Sequence, residues 1–330
     1  MSQVEVKRSF ASRHAVGDQI FRRSAYLAGI ITVGIMLAVG IFLSMRAGAA
    51  INVSGWSFFT VQEWTPETGQ RGDFGVSAVL FGTVTIALIA LVVSFPLSLG
   101  TSLLLSESAP PRIRSLLISL IDLMAAVPSI VYGLWGFYFL QPNIIPVARW
   151  ISQTFGWIPI VAVTDASGQA TTQASDFTSS AVIAGIVVGF MVLPTQTSIM
   201  REAFARAPIG EREGAYALGA TRWGMIRTVV LPFARGGVIG GTMLGLGRAL
   251  GETIAVYMII SPIFSINHQI LKTGTNSVSA LIALRYGEAS DFALSALMAA
   301  GLVLLLLTLV INFGASSIVA RSRSGAESDD

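Results

Sequence analysis

Six blocks of nearly unbroken apolar residues run through the chain, at about 24–47, 78–105, 116–140, 178–200, 236–262 and 292–318, with polar stretches between them. Each is as long as the roughly 20 residues a helix needs to cross the hydrocarbon core of a bilayer. A backbone surrounded by lipid must satisfy its own hydrogen bonds, so all six are predicted to be helices. The first apolar run, Ala25 to Ser44, is too long for the apolar region of a cleaved signal peptide, although Ala47 to Ala50 imitates a small-residue cleavage site. It is read as a retained span. The pattern predicts an all-α polytopic membrane protein with six transmembrane helices. It divides the chain into an N-terminal tail (1–23), a first transmembrane helix with its outer loop (24–74), a transmembrane domain (75–320) carrying a large polar loop at 201–235, and a C-terminal tail (321–330).

Composition adds exclusions. Of the 330 residues 53% are hydrophobic and 12% charged, and the mean hydropathy of +0.71 rules out an ordinary soluble enzyme. With the amino terminus inside, fifteen of the 21 lysines and arginines fall on the inner side, five fall on the outer side, and Arg248 alone lies within a span. That threefold excess predicts that both termini are cytoplasmic. The net charge of +3 is therefore a topology signal rather than a nucleic-acid footprint, since no basic stripe with interleaved aromatics appears. The absence of cysteine excludes disulfides and thiolate metal sites, and two distant histidines, His14 and His268, make no metal site. Trp56, Trp64, Trp150 and Trp157 fall in outer segments and suit a headgroup belt. The stretch Thr164 to Ser180 has no helical or strand period and is predicted to be flexible.

A chain that hydrolysed ATP itself would need a G-x-x-x-x-G-K-[ST] loop, and neither of the two lysines, Lys7 and Lys272, follows a glycine. No H-E-x-x-H, G-x-S-x-G or dinucleotide fingerprint appears either. A transporter, a channel or a structural membrane subunit remains.

The inner loop at 201–235 is built like two short helices with a hinge. Pro208 suits a first helical turn, Glu211 and Glu213 complement the positive end of the helix, and Gly219 can close it. A second stretch, Ala220 to Leu231, is expected to stop at Pro232. Ala215 and Leu218, with Trp223 beyond the hinge, offer a face for a soluble partner or for lipid headgroups.

Glu213-Gly214-Ala215, Gly219 four residues on, Val229 after nine more, and Leu231-Pro232 resemble the EAA loop of bacterial ABC importer permeases. Gly214 and Val229 are the only departures, standing where that motif has alanine and isoleucine. Gly245 to Val256 and Asp122 to Gly136 are similar to segments of the phosphate-specific permeases of the PstC type. The resemblance covers about residues 75–318 and implies a MetI-like, binding-protein-dependent importer fold. It implies that Glu213, Gly214, Ala215, Gly219, Leu231 and Pro232 form the loop that docks on a separate ATPase. It further implies a bacterial cytoplasmic (inner) membrane location and several partners: a second homologous permease, two cytoplasmic ATPase subunits that use ATP and Mg, an extracytoplasmic phosphate-binding protein, and membrane lipid. No cofactor or metal is expected on the chain itself, and no nucleic acid.

Arg248 lies thirteen residues beyond Arg235, about 20 Å along a helix and so near the bilayer midplane. A charge there is costly and must face protein or a water-filled path. If the fifth span is one helix, Glu252 shares its face and can pair with Arg248, with Asp122 as a third member. The functional reading is that Arg248 offers its donor fork to a passing oxyanion, with Glu252 tempering the site. Arg248, Glu252, Thr253 and Asp122 are thus the candidate pathway residues, and the resemblance implies the same role. Seven glycines between Gly236 and Gly251 favour close helix packing. An importer of another oxyanion or small solute, an ion-coupled transporter using Glu252 or Asp122, and a regulatory membrane scaffold all stay open.

Overall fold

The computed structural model describes residues 16–71, 73–165 and 167–323. Residues 1–15, with Lys7 and His14, and 324–330 lie outside the described residues, and with them most of the two expected tails. Apart from isolated bridge pairs such as Trp64 with Phe74, the described residues contain no strand. The helices are α1 (Val16–Ser54), α2 (Ser77–Leu103), α3 (Pro111–Ala126), α4 (Ser129–Trp135), α5 (Gln141–Thr154), α6 (Ala181–Ala205) and α7 (Ile209–Ala217). They continue with α8 (Arg222–Met225), α9 (Leu231–Phe233), α10 (Arg235–Leu250), α11 (Ile254–Ile259), α12 (Val278–Arg285) and α13 (Asp291–Arg323).

Four helices, α1, α2, α6 and α13, are each long and apolar enough to cross a membrane unaided. The other two crossings are bent. The third breaks between α3 and α4, which meet at 95°, and α8–α9 meets α10 at 68°. Four of the six expected crossings are single long helices, and the count reaches six if each bent pair makes one crossing, the second pair running over 222–250 rather than the expected 236–262. The block 116–140 breaks at Pro128, which cannot donate to the helix ladder and drives Val127 into an extended conformation (φ −68°, ψ 127°). The Tyr132 hydroxyl donates across the break to the Met124 carbonyl at 2.8 Å. Beyond it the helix runs to Thr154, through Pro142 and Pro146, so the start of the expected outer loop is helical.

α2 and α6 pack along much of their length, with Ile86, Ala87 and Ala90 against Ala184, Val188 and Met191. α1 packs on α13 only through its second half, where Ala47 and Ala50 are fully buried, while residues 18–39 are exposed. Small residues at these crossings let backbones approach, the route to packing when lipid is as apolar as the side chains. Trp64 departs from the expected aromatic belt: it is buried with Phe58 and Phe74, whereas Trp56, Trp150 and Trp157 are exposed.

The stretch expected to be flexible, Thr164 to Ser180, is held in place. Phe177 is fully buried beside Ala148, Val163 and Leu271. Thr171 donates to the Asp176 carboxylate at 2.6 Å, and the Thr273 N–H donates to the Asp176 carbonyl at 2.7 Å. A single aromatic anchor and hydrogen bonds from a distant segment order a stretch that has no period of its own. At its tip the Ser167 hydroxyl, then the Gln169 backbone N–H, donate to Asp165 and hold its carboxyl below the usual carboxylate value.

Candidate functional site

The fifth apolar block splits where the expected charge pair sits. α10 ends at Leu250, Gly251 caps it, and α11 begins only at Ile254. Arg248 is therefore in the last turn of α10, where the negative end of the helix dipole favours a cation. Glu252 lies in the break, and its Oε1 accepts the Ala255 backbone N–H at 3.0 Å, capping α11. The expected Arg248–Glu252 ion pair is absent among the described residues, because the break removes the common helix face on which it depended. Arg248 instead donates from Nη1 to the Thr195 hydroxyl of α6 at 3.2 Å and is otherwise exposed. Thr253 stands at the start of α11, its hydroxyl donating to the Gly251 carbonyl at 3.2 Å.

The Arg248–Thr195 bond depends on how closely α10 approaches α6. A Cβ on Gly245 would lie 2.1 Å from Nε2 of Gln196, a side chain with no exposed surface. Gln196 is fixed by the Ser98 hydroxyl, which donates to its Oε1 at 3.2 Å. Three helices thus meet at Ser98, Gln196 and Gly245, one turn from Arg248. Tyr132 is also within electrostatic reach of Arg248. Asp122 is not a third member of a cluster: it lines a separate narrow cleft with Thr197, Ser198 and Arg201. On α6 those residues lie roughly 3–9 Å from Thr195, at about 1.5 Å of rise per residue. The structure brings Arg248 to Thr195, keeps Glu252 and Thr253 on the far side of a backbone break, and leaves Asp122 apart. Thr195 and Gln196 were missed, though the polar run Thr195-Gln-Thr-Ser198 after Pro194, inside an apolar block, is a readable signal.

The second neighbourhood is the loop between α6 and α10. Pro208 precedes α7, Glu211 falls in its first turn, and Gly219 takes the left-handed conformation (φ +84°) that ends it. The Thr221 hydroxyl caps α8 by accepting the Gly224 N–H at 3.1 Å. The second stretch does not stop at Pro232 as expected. A wide turn over Ile226–Val230 carries the chain into α9, with Pro232 inside it, and the bend comes at Ala234. The Leu231 N–H reaches back to the Ile226 carbonyl, five residues earlier, which frees the position that the proline ring would strike.

Ala215 packs inward against a buried cluster of Met200, Phe204 and Met225. Leu218, 91% exposed, points away from the molecule, as do Ile209, Tyr216 and Trp223. This loop presents a small apolar surface supported by a packed base. Nothing lies within 4 Å of a Cβ built on Gly214, so the departure from alanine there has no steric cause.

Residues 98–324 match the family described as binding-protein-dependent transport system inner membrane component. A protein of Mycobacterium tuberculosis called phosphate transport system permease protein PstC 2 is 36% identical over 313 residues, 94% of each chain. Phosphate transport system permease protein PstC of Xylella fastidiosa is 35% identical over 91% of this chain and 89% of its own. That of Pasteurella multocida is 32% identical over 90% of each. Among solved structures, an inward-facing MetNI methionine ABC transporter chain superposes with a TM-score of 0.52 at 16% identity, covering 75% of this chain and 95% of that one. At that identity the likeness concerns the fold.

Proposed function

The chain belongs to the family of binding-protein-dependent transport system inner membrane components, and from that premise we propose that it is the membrane-spanning permease subunit of an ATP-driven importer of inorganic phosphate. The observation that carries the cargo is identity of about 35% across nine-tenths of the chain with proteins called phosphate transport system permeases. The chemistry agrees: Arg248, exposed inside a crossing and held by one neutral hydroxyl, keeps most of its donor fork available for a tetrahedral oxyanion.

In this reading the anion is released by an extracytoplasmic binding protein and passes between this chain and a second, homologous permease. Arg248 receives it, while Glu252 and Thr253 line the break beyond, with Asp122 of α3 in the cleft further along the path, facing Thr197 to Arg201 of α6. Both termini are cytoplasmic. The loop at Glu213 to Gly219 docks on one of two ATPase subunits, which bind ATP and Mg and perform the hydrolysis. The chain itself makes and breaks no covalent bond. Closure of the ATPases pulls on α7 and turns the pathway outward.

The test is radiolabelled phosphate uptake, with excess unlabelled sulfate, in cells carrying the native chain, Arg248→Gln or no copy, with membrane expression verified. Uptake should require the chain, ignore sulfate and fall by about 100-fold or more in Arg248→Gln, the scale of a lost charged clamp at a site of anion passage. Unchanged uptake without the chain, in cells lacking any other phosphate importer, sinks the cargo assignment.

A further inference from the structure

Where α2 ends, the chain makes a wide turn over Leu104–Ser108, closed by the Ala109 N–H donating to the Leu104 carbonyl at 2.7 Å. Glu107 sits in this turn with only 4% of its side chain exposed. A buried carboxylate next to lipid-facing helices is costly unless it is paired. Its partner comes from the loop 105 residues away: Arg212 of α7 donates from Nη1 to Oε2 at 3.0 Å. The Ser106 hydroxyl donates to Oε1 at 2.6 Å. The other end of the Arg212 fork donates to the Phe204 carbonyl at the end of α6, at 2.6 Å. Arg222, which opens α8, donates to the backbone carbonyl of Glu107 itself. One buried acidic residue therefore ties three elements: both short helices of the loop, α7 and α8, and the end of α2, with α6 joined through Phe204.

Apolar packing also joins these parts, since Phe95, Leu99 and Leu103 of α2 lie on the cluster that supports Ala215. That contact is not directional, and its surfaces can slide. The Glu107 contacts are directional, and losing one partner leaves a buried charge unpaired. α2 is in turn the helix most extensively packed on α6, which carries the Thr195 partner of Arg248.

We propose that the Glu107 carboxylate, through Arg212, is the positioning group that makes α7 and the end of α2 move as one body, with Arg222 of α8 on the neighbouring backbone carbonyl, so that force applied to the loop reaches the crossing that holds Arg248. The inference rests on the importer reading above. It concerns transmission and not the identity of the cargo.

The chain contains no cysteine, so two reporters can be introduced alone: Gly210→Cys on α7, where a Cβ meets nothing within 4 Å, and Leu97→Cys, an exposed position of α2. Both carry spin labels, and their separation is measured in the purified assembly with its ATPase, before and after trapping with ATP and vanadate. With Glu107 in place the separation should be the same in both states. In Glu107→Ala, and in the milder Glu107→Gln, it should change on trapping. Hydrolysis should stay within about twofold of native while phosphate transported per ATP falls about 100-fold or more, the scale of one buried ion-pair partner left alone. The exchanged pair Glu107→Arg with Arg212→Glu should recover much of the loss. The proposal is overturned if the separation stays fixed in Glu107→Ala and Glu107→Gln, or if both variants lose hydrolysis and transport in equal measure, which would make the contact merely structural. The distance is independent of cargo. A native assembly that holds the distance but moves no phosphate would refute the cargo and leave the tie intact.

Discussion

Gly245 sets how closely α10 approaches α6 one turn before Arg248. It faces Gln196 so closely that an added methyl would collide with an amide that has nowhere to go. Overpacking of this kind costs about 1–3 kcal/mol. Relief by separating α10 from α6 would also stretch the 3.2 Å bond from Arg248 to Thr195. Gly245→Ala should therefore lower phosphate uptake several-fold and lower the melting temperature of the purified chain. Gly240→Ala, on the same helix but with nothing within 4 Å, should leave both unchanged. Equal effects from the two substitutions would mean that helix flexibility, not this contact, is what the glycines supply. The charge of Arg248 and its place in a span were legible in the sequence, since an ionisable residue inside an apolar block stands out. Its partner was not. Pairing it with Glu252 assumed an unbroken helix, and no single sequence shows that Gly251 to Thr253 ends one.

At the scale of elements, two of the helical prolines follow a wide turn. Pro142 and Pro232 each stand two residues after such a turn, at Gly136–Leu140 and Ile226–Val230. A regular helix would drive each proline ring into the carbonyl four residues back, and the wider turn moves that carbonyl aside. Reading Pro232 as a stop was therefore wrong, since it lies inside α9 after a wide turn. Pro96, Pro146 and Pro194 stay inside α2, α5 and α6 with no such turn just before them, whereas the chain breaks at Pro128. The outer stretch around Phe177 was illegible for another reason, because its order comes from residues near 148 and 271 that no local pattern reveals. The hinge at Gly219 was legible, being a glycine at the close of a helix, and its φ of +84° bears this out. Proline locks φ near −65°, so Gly219→Pro cannot form this turn. The α7–α8 geometry should be lost at a cost of about 1–3 kcal/mol, the scale of a strained residue. Assemblies with this substitution should hydrolyse ATP with little transport per ATP. Normal transport would mean that the loop does not carry the force.

Across the whole molecule, the basic residues predict which side each loop occupies, and the fold makes the prediction easy to check. The exposed ends of α7 and the 155–160 segment emerge on opposite sides if six crossings are made. A single cysteine at Leu218 should be labelled by a membrane-impermeant maleimide only in inverted vesicles, and one at Trp157 only in intact spheroplasts. Labelling of both from one side would remove a crossing and with it the placement of both termini.

The break between α10 and α11 places one basic residue, Arg248, and one acidic residue, Glu252, at the same level of this crossing, so on the importer reading the cargo's own charge is what the transmembrane potential acts on. A bound phosphate makes the site negative. Carrying one such charge inward against an inside-negative potential costs about 2.3 kcal/mol per 100 mV. On that reading, the loaded step is the one in which ATP works against the membrane's own field.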